Sequence, residues 1–362
     1  MTEAPHGIRA ALRRVVAALL LAAVLLPRPA LAEPVPAFDH DDDYLALQQH
    51  STPEQRQRGV TVSDHRVFHA VAPDEADPSV HRYLRDSYAM FDRRALRAAA
   101  PLFAFLVGTT GSPDSSKTML AVAAASGYRA VSLMYDTMPA TNEACHHDPD
   151  PTCSQRFRQK RAYGDDVSRD IDDAPNEAVV PRLKAMLATL AQRYPDEGWA
   201  QYRQADGELA WNRLVLSGHS QGAGLAAFIA RQHEIARVVL FSSPWDYYRE
   251  GGGNGDKKGG KRVAPWLAGT GATPAERWYA MYHAREPHAD DIARAFAALA
   301  LPADHIRVAT LEPRRKGSEH TSVSNDYTTP RDDRGLPLYL SDWEFMIGKA
   351  GAAPPVRREA TR

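Results

Sequence analysis

Apolar runs of two kinds alternate along most of the chain. Short runs of β-branched, aromatic and leucine residues predict buried strands, and longer runs with an apolar face predict helices. The strand-like runs are VTVSDHRVFHAV, LFAFLVG, RAVSLMY, RLVLSG, RVVLFSS, RWYAMYH and HIRVATLE. The helix-like runs are SSKTMLAVAAASG, NEAVVPRLKAMLATLAQRY, QGAGLAAFIARQH and ADDIARAFAAL. This alternation predicts an α/β fold with a mostly parallel central sheet and helices on both faces.

The predicted fold begins near Val60 and forms one domain, residues 60–350, in which we find no internal repeat. The polar, acidic and proline-containing stretch 33–59 predicts an irregular lead-in, and 351–362 predicts a disordered tail. Residues 249–262, REGGGNGDKKGGKR, are rich in glycine and charge. Such a segment predicts a flexible surface insertion.

The first 32 residues differ from the rest of the chain. Arg9, Arg13 and Arg14 precede the twelve-residue apolar run VVAALLLAAVLL, and the small-residue stretch ALA ends at Ala32. The run is shorter than the roughly 20 residues that cross a bilayer, and acidic and proline residues follow it. Residues 1–32 therefore predict a signal peptide cleaved after Ala32, and a secreted or periplasmic protein without a stable membrane anchor. A retained N-terminal anchor is the alternative.

The charge balance indicates no polyanionic partner. The 362 residues include 44 basic and 45 acidic side chains, which gives a formal net charge of -1. A protein that binds nucleic acid or an anionic membrane through its overall field has a positive excess. The sequence therefore predicts no nucleic-acid partner, and its hydrophobic content of 44% is enough for a sizeable core.

The two cysteines, Cys145 and Cys153, lie in the segment ACHHDPDPTC. In an oxidising compartment, two cysteines this close in sequence predict a disulfide that closes a small loop. Free thiols are one alternative, and a metal site is another because His146 and His147 follow Cys145. The spacing fits no closed zinc pattern, so we predict no metal.

Gly218-His219-Ser220-Gln221-Gly222 matches G-x-S-x-G, the pattern of a serine on a sharp turn between a strand and a helix. The pentapeptide alone arises by chance, but here the buried run RLVLS precedes it and the helical run GAGLAAFIARQ follows. Such a turn holds the serine at the C-terminal edge of the sheet, where the next helix directs amides at a developing oxyanion. Ser220 is therefore the predicted nucleophile, and an ordinary strand-to-helix connection is the alternative.

A serine nucleophile needs a histidine base, which follows the last strand when the chain order is serine, acid, histidine. His320 lies in the polar loop RRKGSEHTSVSND after the last predicted strand, and we predict that it is the base. His288 is the main alternative. The other histidines downstream lie at the ends of predicted elements, and they are His233, His283 and His305.

The acid that orients the base is predicted to be Glu286, which comes directly after the strand WYAMYH and before Pro287. Asp246, in FSSPWDYY, is an alternative because some hydrolases place the acid one strand earlier. Asp290 is a further alternative, although an aspartate here also suits the first turn of a helix.

The oxyanion requires a second amide from a loop after an earlier strand. The segment LFAFLVGTTGSPD offers such a loop, because Gly108 and Gly111 allow a tight turn. We predict that the amides of Thr109 and Gln221 form the oxyanion hole. A plain turn ahead of a helix is the alternative.

Taken together, these segments resemble the α/β-hydrolase superfamily, in particular its secreted or periplasmic esterase- and lipase-like serine hydrolases. The resemblance covers roughly residues 100–330. It lies in LFAFLVGTTGSPD, CHHDPDPTCSQRFRQKRAYG, RYPDEGWAQYR, WNRLVLSGHSQGAGLAAFIA, FSSPWDYY, WYAMYHAREP and SEHTSVSND. It implies a serine hydrolase with Ser220 as nucleophile, His320 as base and the amides of Gln221 and Thr109 as donors. Glu286 stands where such proteins more often have aspartate.

The predicted activity is hydrolysis of a small or lipid-like carboxylic ester through an acyl-enzyme, without metal or organic cofactor. Segments 136–176 and 247–275 are predicted at the strand ends that carry the site. They can form a cap in which Trp245 and Trp266 line an acyl pocket, and loop packing alone is the alternative. An acyltransferase and a non-catalytic binding module on the same scaffold are the alternative functions.

Overall fold

The computed structural model describes residues 65–145, 148–250 and 260–348. The strands of this part are β1 (Arg66–Val71), β2 (Ser87–Asp92), β3 (Leu102–Leu106), β4 (Arg129–Leu133), β5 (Leu214–His219), β6 (Arg237–Phe241), β7 (Tyr247–Glu250), β8 (Gly260–Val263), β9 (Trp278–His283) and β10 (Ile306–Ala309). Its α-helices are α1 (Pro73–Ala76), α2 (Lys117–Ala125), α3 (Thr141–Cys145), α4 (Cys153–Tyr163), α5 (Val179–Arg193), α6 (Gln221–Gln232), α7 (Ala289–Ala298) and α8 (Leu340–Ile347).

Eight of these strands form one sheet in the order β1-β2-β4-β3-β5-β6-β9-β10. From β4 to β10 along this order, every strand is parallel to its neighbours within the set. Strand β2 is antiparallel to both β1 and β4. The predicted mostly parallel sheet is confirmed, with antiparallel pairing at one edge.

The direction in which the chain crosses the sheet places helices on both faces. The chain moves from β3 to β4 in one direction through α2, and from β5 to β6 in the opposite direction through α6. Because crossovers between parallel strands are right-handed, α2 and α6 lie on opposite faces. Helix α8 packs on α2, whereas α4 packs on α5 and α6, so each face has its own helical layer.

The centre of the sheet is fully covered. Strands β3 and β5, with sequences LFAFL and LVLSGH, are buried along their whole length, as expected for strands with helices on both faces. Helix α6 is buried from Gln221 to Ala230. Its first turn is therefore fixed deep in the molecule, directly beyond the end of β5.

The structure differs from the prediction for segment 249–262. The first two residues of this segment belong to β7 and the last three to β8, and these strands pair in an antiparallel hairpin. Residues 251–259 lie outside the described part of the chain. The two ends of the predicted insertion form a hairpin with each other. Such pairing uses backbone hydrogen bonds, so it does not require apolar side chains. Arg262 also forms a cross-strand ion pair of 2.9 Å with Glu250.

Seven of the described elements were not predicted from the sequence, namely α1, β2, α3, α4, β7, β8 and α8. Helix α4, CSQRFRQKRAY, is so rich in basic residues that it has no apolar stripe, yet much of it is buried. Its charges are buried in ion pairs, in which Arg158 meets Asp246 at 2.6 Å and Arg161 meets Asp173 at 2.6 Å. Burial by ion pairing leaves no hydrophobic periodicity for a sequence pattern to detect.

The predicted signal peptide (1–32), lead-in (33–59) and tail (351–362) lie outside the described residues. Within the described ranges, every helix falls short of the length and apolar character that crossing a bilayer requires.

The predicted disulfide is present, and it joins Cys145 at the end of α3 to Cys153 at the start of α4. The carboxylate of Asp170 lies 4.0 Å from the sulfur of Cys153, and these three residues are the one described group with metal-ligand spacing. Because both sulfurs are bonded to each other, they offer no thiolate to a metal.

Candidate active site

Ser220 lies on a sharp turn between β5 and α6. Its backbone has φ 52° and ψ -120°, a conformation that residues with a side chain rarely adopt. The turn is held by a hydrogen bond of 2.8 Å from the Ser220 amide to the carbonyl of Phe241, at the end of β6. Backbone strain of this kind persists where the surrounding structure fixes it, and it is frequent at active sites.

The two glycines of the pentapeptide are required by close backbone packing. A Cβ on Gly218 would lie 2.5 Å from the carbonyl carbon of Gly222. A Cβ on Gly222 would overlap the carbonyl of Leu106, at the end of β3. Only residues without a side chain let the turn fit against β3 in this way.

His320 lies in the loop after β10 and contacts Ser220. Its Nε2 is 2.9 Å from the Ser220 Oγ, and its Nδ1 forms a short hydrogen bond with a carboxylate oxygen of Glu286. The imidazole is partly buried, and the carboxylate of Glu286 is fully buried. The structure thus brings the predicted serine, histidine and glutamate into one hydrogen-bonded chain.

The second carboxylate oxygen of Glu286 accepts two hydrogen bonds that fix its orientation. One comes from the Ser242 hydroxyl at 2.9 Å and the other from the His283 amide at 2.8 Å. Ser242 is fully buried and has φ 54°, directly after β6. Sequence reasoning missed Ser242, although its place after a parallel strand at the edge that carries Ser220 was a usable signal.

The alternative acids have other partners. Asp246 accepts two hydrogen bonds of 2.6 Å from the guanidinium of Arg158 and one of 3.0 Å from the indole of Trp266. Asp290 is exposed in the first turn of α7. Neither carboxylate has a hydrogen bond or ion pair with His320 among the described contacts.

The alternative histidine base, His288, stacks face to face on Trp245 with ring centroids 3.9 Å apart. Burial lowers its pKa from the usual value. The other downstream histidines bond to backbone carbonyls or stack on aromatic rings. They are His233 on Trp211, His283 on the Leu311 carbonyl and His305 on the Trp278 carbonyl.

Thr109 and Gln221 line the same small cleft as Ser220. Gln221 is the first residue of α6, so its amide has no partner within the helix. Its side chain accepts a hydrogen bond of 3.1 Å from the Thr141 amide and donates one of 3.0 Å to the Thr137 carbonyl. A Cβ on Gly108 would lie 3.1 Å from the Cβ of Ser220, so the loop that carries Thr109 approaches the serine closely.

Two features are typical of one known fold. They are the strand order with β2 reversed and the serine turn between β5 and α6. Serine, acid and histidine follow in that chain order from three loops at one sheet edge. The chain has the α/β-hydrolase fold.

No protein-family model and no curated protein matches this sequence. Among solved structures, an esterase from the bacterial hormone-sensitive lipase family is 15% identical over 97% of this chain and 100% of its own, with a TM-score of 0.41. Esterase B from Lactobacillus rhamnosis is 12% identical over 83% and 85%, with a TM-score of 0.39. A hormone-sensitive lipase from a metagenome library is 14% identical over 82% and 88%, with a TM-score of 0.36. These likenesses are too distant to carry an argument on activity, and the fold assignment rests on the strand order and the serine turn.

Two cavities of the protein lie on either side of Thr109. The smaller one, about 20 Å³, is lined by Ser220, Gln221 and Trp245. The larger one, about 240 Å³, is lined by the loop after β3 and by residues that follow His320. Of the two predicted cap segments, 136–176 contributes Ala140, Thr141, Asn142 and Arg158 to the smaller cavity, whereas the described part of 247–275 contributes none of its lining. Trp266 instead packs edge-on against Phe228.

His219, next to Ser220, is buried and neutral. Its Nε2 donates a hydrogen bond of 2.9 Å to the carbonyl of His320. Burial, with a smaller contribution from the nearby imidazole of His320, lowers the pKa of His219 from 6.5 to about 3. The folded protein therefore excludes a proton that the unfolded chain binds below pH 6.5.

We expect this histidine to make the protein less stable in mild acid. The pKa of His219 is lower in the folded protein than in the unfolded chain. Its contribution to the free energy of unfolding is therefore fully present above pH 6.5 and is lost as the pH falls toward 3. Between pH 7.5 and pH 5 the free energy of unfolding should fall by about 2 kcal/mol on this account. Urea unfolding of the wild type and His219→Gln, which does not titrate, measures the difference. Equal pH dependence in both proteins would contradict a buried neutral His219.

Proposed function

We propose that the protein is a serine hydrolase that cleaves carboxylic esters through a covalent acyl-enzyme on Ser220. One observation carries this proposal, the hydrogen-bonded chain from the Ser220 hydroxyl through His320 to the buried carboxylate of Glu286. A hydroxyl at 2.9 Å from an imidazole nitrogen is placed to lose its proton during attack. The carboxylate orients the imidazole and stabilises its protonated form.

In the first half of the reaction, the Ser220 oxygen attacks the ester carbonyl while its proton moves to Nε2 of His320. The carbonyl oxygen becomes an oxyanion, and the amides of Gln221 and Thr109 are the proposed donors to it. The N-terminus of α6 adds the positive end of its dipole at the same place. These groups stabilise charge that exists only in the transition state and the tetrahedral intermediate, so they lower the barrier.

In the second half, the bond from the carbonyl carbon to the alcohol oxygen breaks, and His320 gives its proton to that oxygen. A water molecule then attacks the acyl carbon while His320 takes its proton. His320 returns that proton to the Ser220 oxygen as the bond between this oxygen and the acyl carbon breaks, which releases the acid and free Ser220. Every atom is accounted for by ester, water and these side chains. No metal or organic cofactor enters the proposed cycle.

The position of His320 distinguishes the two sides of the site. The leaving oxygen must come within hydrogen-bond reach of His320 Nε2, so the alcohol part of the ester lies toward the loop that carries this histidine. The acyl part then lies on the other side, in the small cavity beside Gln221 and Trp245. A cavity of about 20 Å³ holds little more than one water molecule, which suits the methyl of an acetyl group.

We expect the protein to prefer short acyl chains. With p-nitrophenyl esters, kcat/KM for the acetate should exceed that for the octanoate by at least about tenfold, because a longer chain clashes with the walls of the cavity. Trp245→Ala should extend activity to longer chains by enlarging the cavity. An octanoate preference in the wild type would contradict this placement of the acyl group.

The chain offers a matched control for Trp245. Trp211 stacks on His233 with ring centroids 4.0 Å apart, much as Trp245 stacks on His288 at 3.9 Å, but it does not line the cleft of Ser220. Trp211→Ala removes the same type of contact elsewhere. Its chain-length profile should match that of the wild type, and a shift equal to that of Trp245→Ala would show a non-local effect.

We further propose that the protein acts in an oxidising compartment outside the cytoplasm. The disulfide between Cys145 and Cys153 supports this, since such bonds persist in oxidising compartments. The charged and apolar pattern of residues 1–32 supports export independently.

A further inference from the structure

The larger cavity lies on the side of the site where the proposed function places the alcohol. Its walls come from the loop after β3, including Gly108 and Thr109, and from Thr321 to Tyr327, which directly follow His320. Its volume of about 240 Å³ is about twelve times that of the smaller cavity. This space suits glycerol or a single sugar ring.

The lining of this cavity mixes polar and apolar surface, and it carries no charged side chain among the described residues. Its one titratable base, His219, is neutral at physiological pH because its pKa is lowered to about 3. A charged alcohol such as choline would find no counter-ion here. An uncharged ligand suits such a wall, because a buried ion without a partner is strongly disfavoured.

Several hydroxyl side chains line the wall, and one of them has no partner among the described residues. Thr110, Ser112 and Ser115 line one side, and Thr321 and Ser324 line the other. Ser324 is buried, and its Oγ, which solvent does not reach, has no hydrogen-bond partner among the described residues. A buried hydroxyl of this kind costs stability unless a ligand or water pairs with it.

An aromatic ring stands at the rim of the same cavity. Tyr327 lines it and is 49% exposed, one of the large apolar side chains that the described fold leaves open to solvent. A tyrosine combines an apolar face with a polar tip. An exposed ring beside a wall of hydroxyls can pack on the C–H face of a sugar whose own hydroxyls bond to the wall.

We propose that this cavity binds the alcohol part of the substrate and that this alcohol is an uncharged polyol or sugar. The inference rests on the proposed function, and it makes the protein a deacetylase of carbohydrate or polyol esters. The ester C–O bond breaks, His320 protonates the sugar oxygen, and the sugar hydroxyl is released into the cavity. The acetyl group stays on Ser220 until water removes it.

The test compares acetate esters that differ only in their alcohol. The substrates are methyl 6-O-acetylglucopyranoside, glycerol monoacetate, butyl acetate and acetylcholine, and acetate release is followed in a pH-stat. We expect kcat/KM for the two polyol esters to exceed that for the other two by at least about tenfold, since an alcohol without hydroxyls leaves the polar wall unpaired. A butyl acetate rate equal to or above the sugar ester rate would overturn the inference.

Variants of Tyr327 test whether the sugar lies in this cavity. Tyr327→Ala should lower the ratio of sugar ester to butyl acetate activity by at least about fivefold, mainly through KM, because an aromatic contact is lost. Tyr327→Phe keeps the ring and should restore most of the ratio. Phe345→Ala is the control, because Phe345 is also a partly exposed aromatic but lies on α8, outside both cavities. An unchanged ratio in Tyr327→Ala would overturn the placement.

Failure of the inference and failure of the proposed function give different results. If all four acetates are hydrolysed, Ser220→Ala is inactive and the sugar ester has no advantage, the serine hydrolase stands and the polyol site falls. If none is hydrolysed and p-nitrophenyl acetate is also inert, the proposed function falls and the polyol site falls with it.

Discussion

Ser220→Ala should lower kcat/KM for p-nitrophenyl acetate by at least about 10⁴-fold, because removal of a nucleophile leaves only the oxyanion donors and binding. The Ser220 hydroxyl is the group 2.9 Å from His320 Nε2, and alanine offers no atom that can form the acyl-enzyme. Initial rates of nitrophenolate release by wild type and variant measure the effect. The variant should unfold at nearly the same urea concentration as the wild type.

A matched control for this substitution lies in the same strand. Ser217 is buried in β5, and its hydroxyl has no hydrogen-bond partner within the described part of the chain, so Ser217→Ala removes an equivalent group without touching the site. Its rate should stay within about threefold of wild type, as expected when a buried unpaired hydroxyl is deleted. Equal rates in wild type and Ser220→Ala would remove Ser220 as the nucleophile.

Glu286→Gln should lower kcat by about 10² to 10⁴-fold, since loss of the carboxylate leaves the histidine base in the wrong tautomer. In the wild type the carboxylate accepts the Nδ1 proton of His320 and is held by Ser242 and the His283 amide. An amide at this place can donate to Nδ1 and so favours a proton on Nε2, where the serine proton must go. The measurement is kcat on p-nitrophenyl acetate.

The alternative acids provide the comparison for this prediction. Asp290→Asn changes an exposed residue in the first turn of α7 and should leave kcat within about threefold, as for surface substitutions. Asp246→Asn leaves the buried guanidinium of Arg158 with a weakened partner, so its main effect should be on the free energy of unfolding. If Glu286→Gln keeps wild-type kcat while folded Asp246→Asn loses it, the acid is Asp246.

The positions of the candidate site residues could be predicted because each comes just after a strand. In a parallel sheet all such positions meet at one edge, so a serine after β5, a glutamate after β9 and a histidine after β10 become neighbours whatever the details of packing. The glycines of G-x-S-x-G could also be recognised from the sequence, because the turn itself requires residues without a side chain at Gly218 and Gly222. The predicted helices and parallel strands could be found in the same way, because each corresponds to a continuous apolar run in the sequence.

Features that depend on contacts between distant segments could not be predicted. In the sequence Asp246 resembles a catalytic acid, and only the fold shows that Arg158, 88 positions earlier, pairs with it. The larger cavity combines the loop after β3 with Thr321 to Tyr327, which no local pattern links. Ser242 has a role only because Glu286 returns to the end of β6, a contact 44 positions apart.

The most direct test of the central claim is to map the site of covalent modification by a fluorophosphonate, a reagent that mimics the tetrahedral intermediate. Wild type, Ser220→Ala and Ser217→Ala would each be labelled, digested and sequenced by mass spectrometry. We predict one adduct, on Ser220, in wild type and Ser217→Ala and none in Ser220→Ala. An adduct on another residue, or ester hydrolysis by a protein that takes no label, would contradict a nucleophilic Ser220.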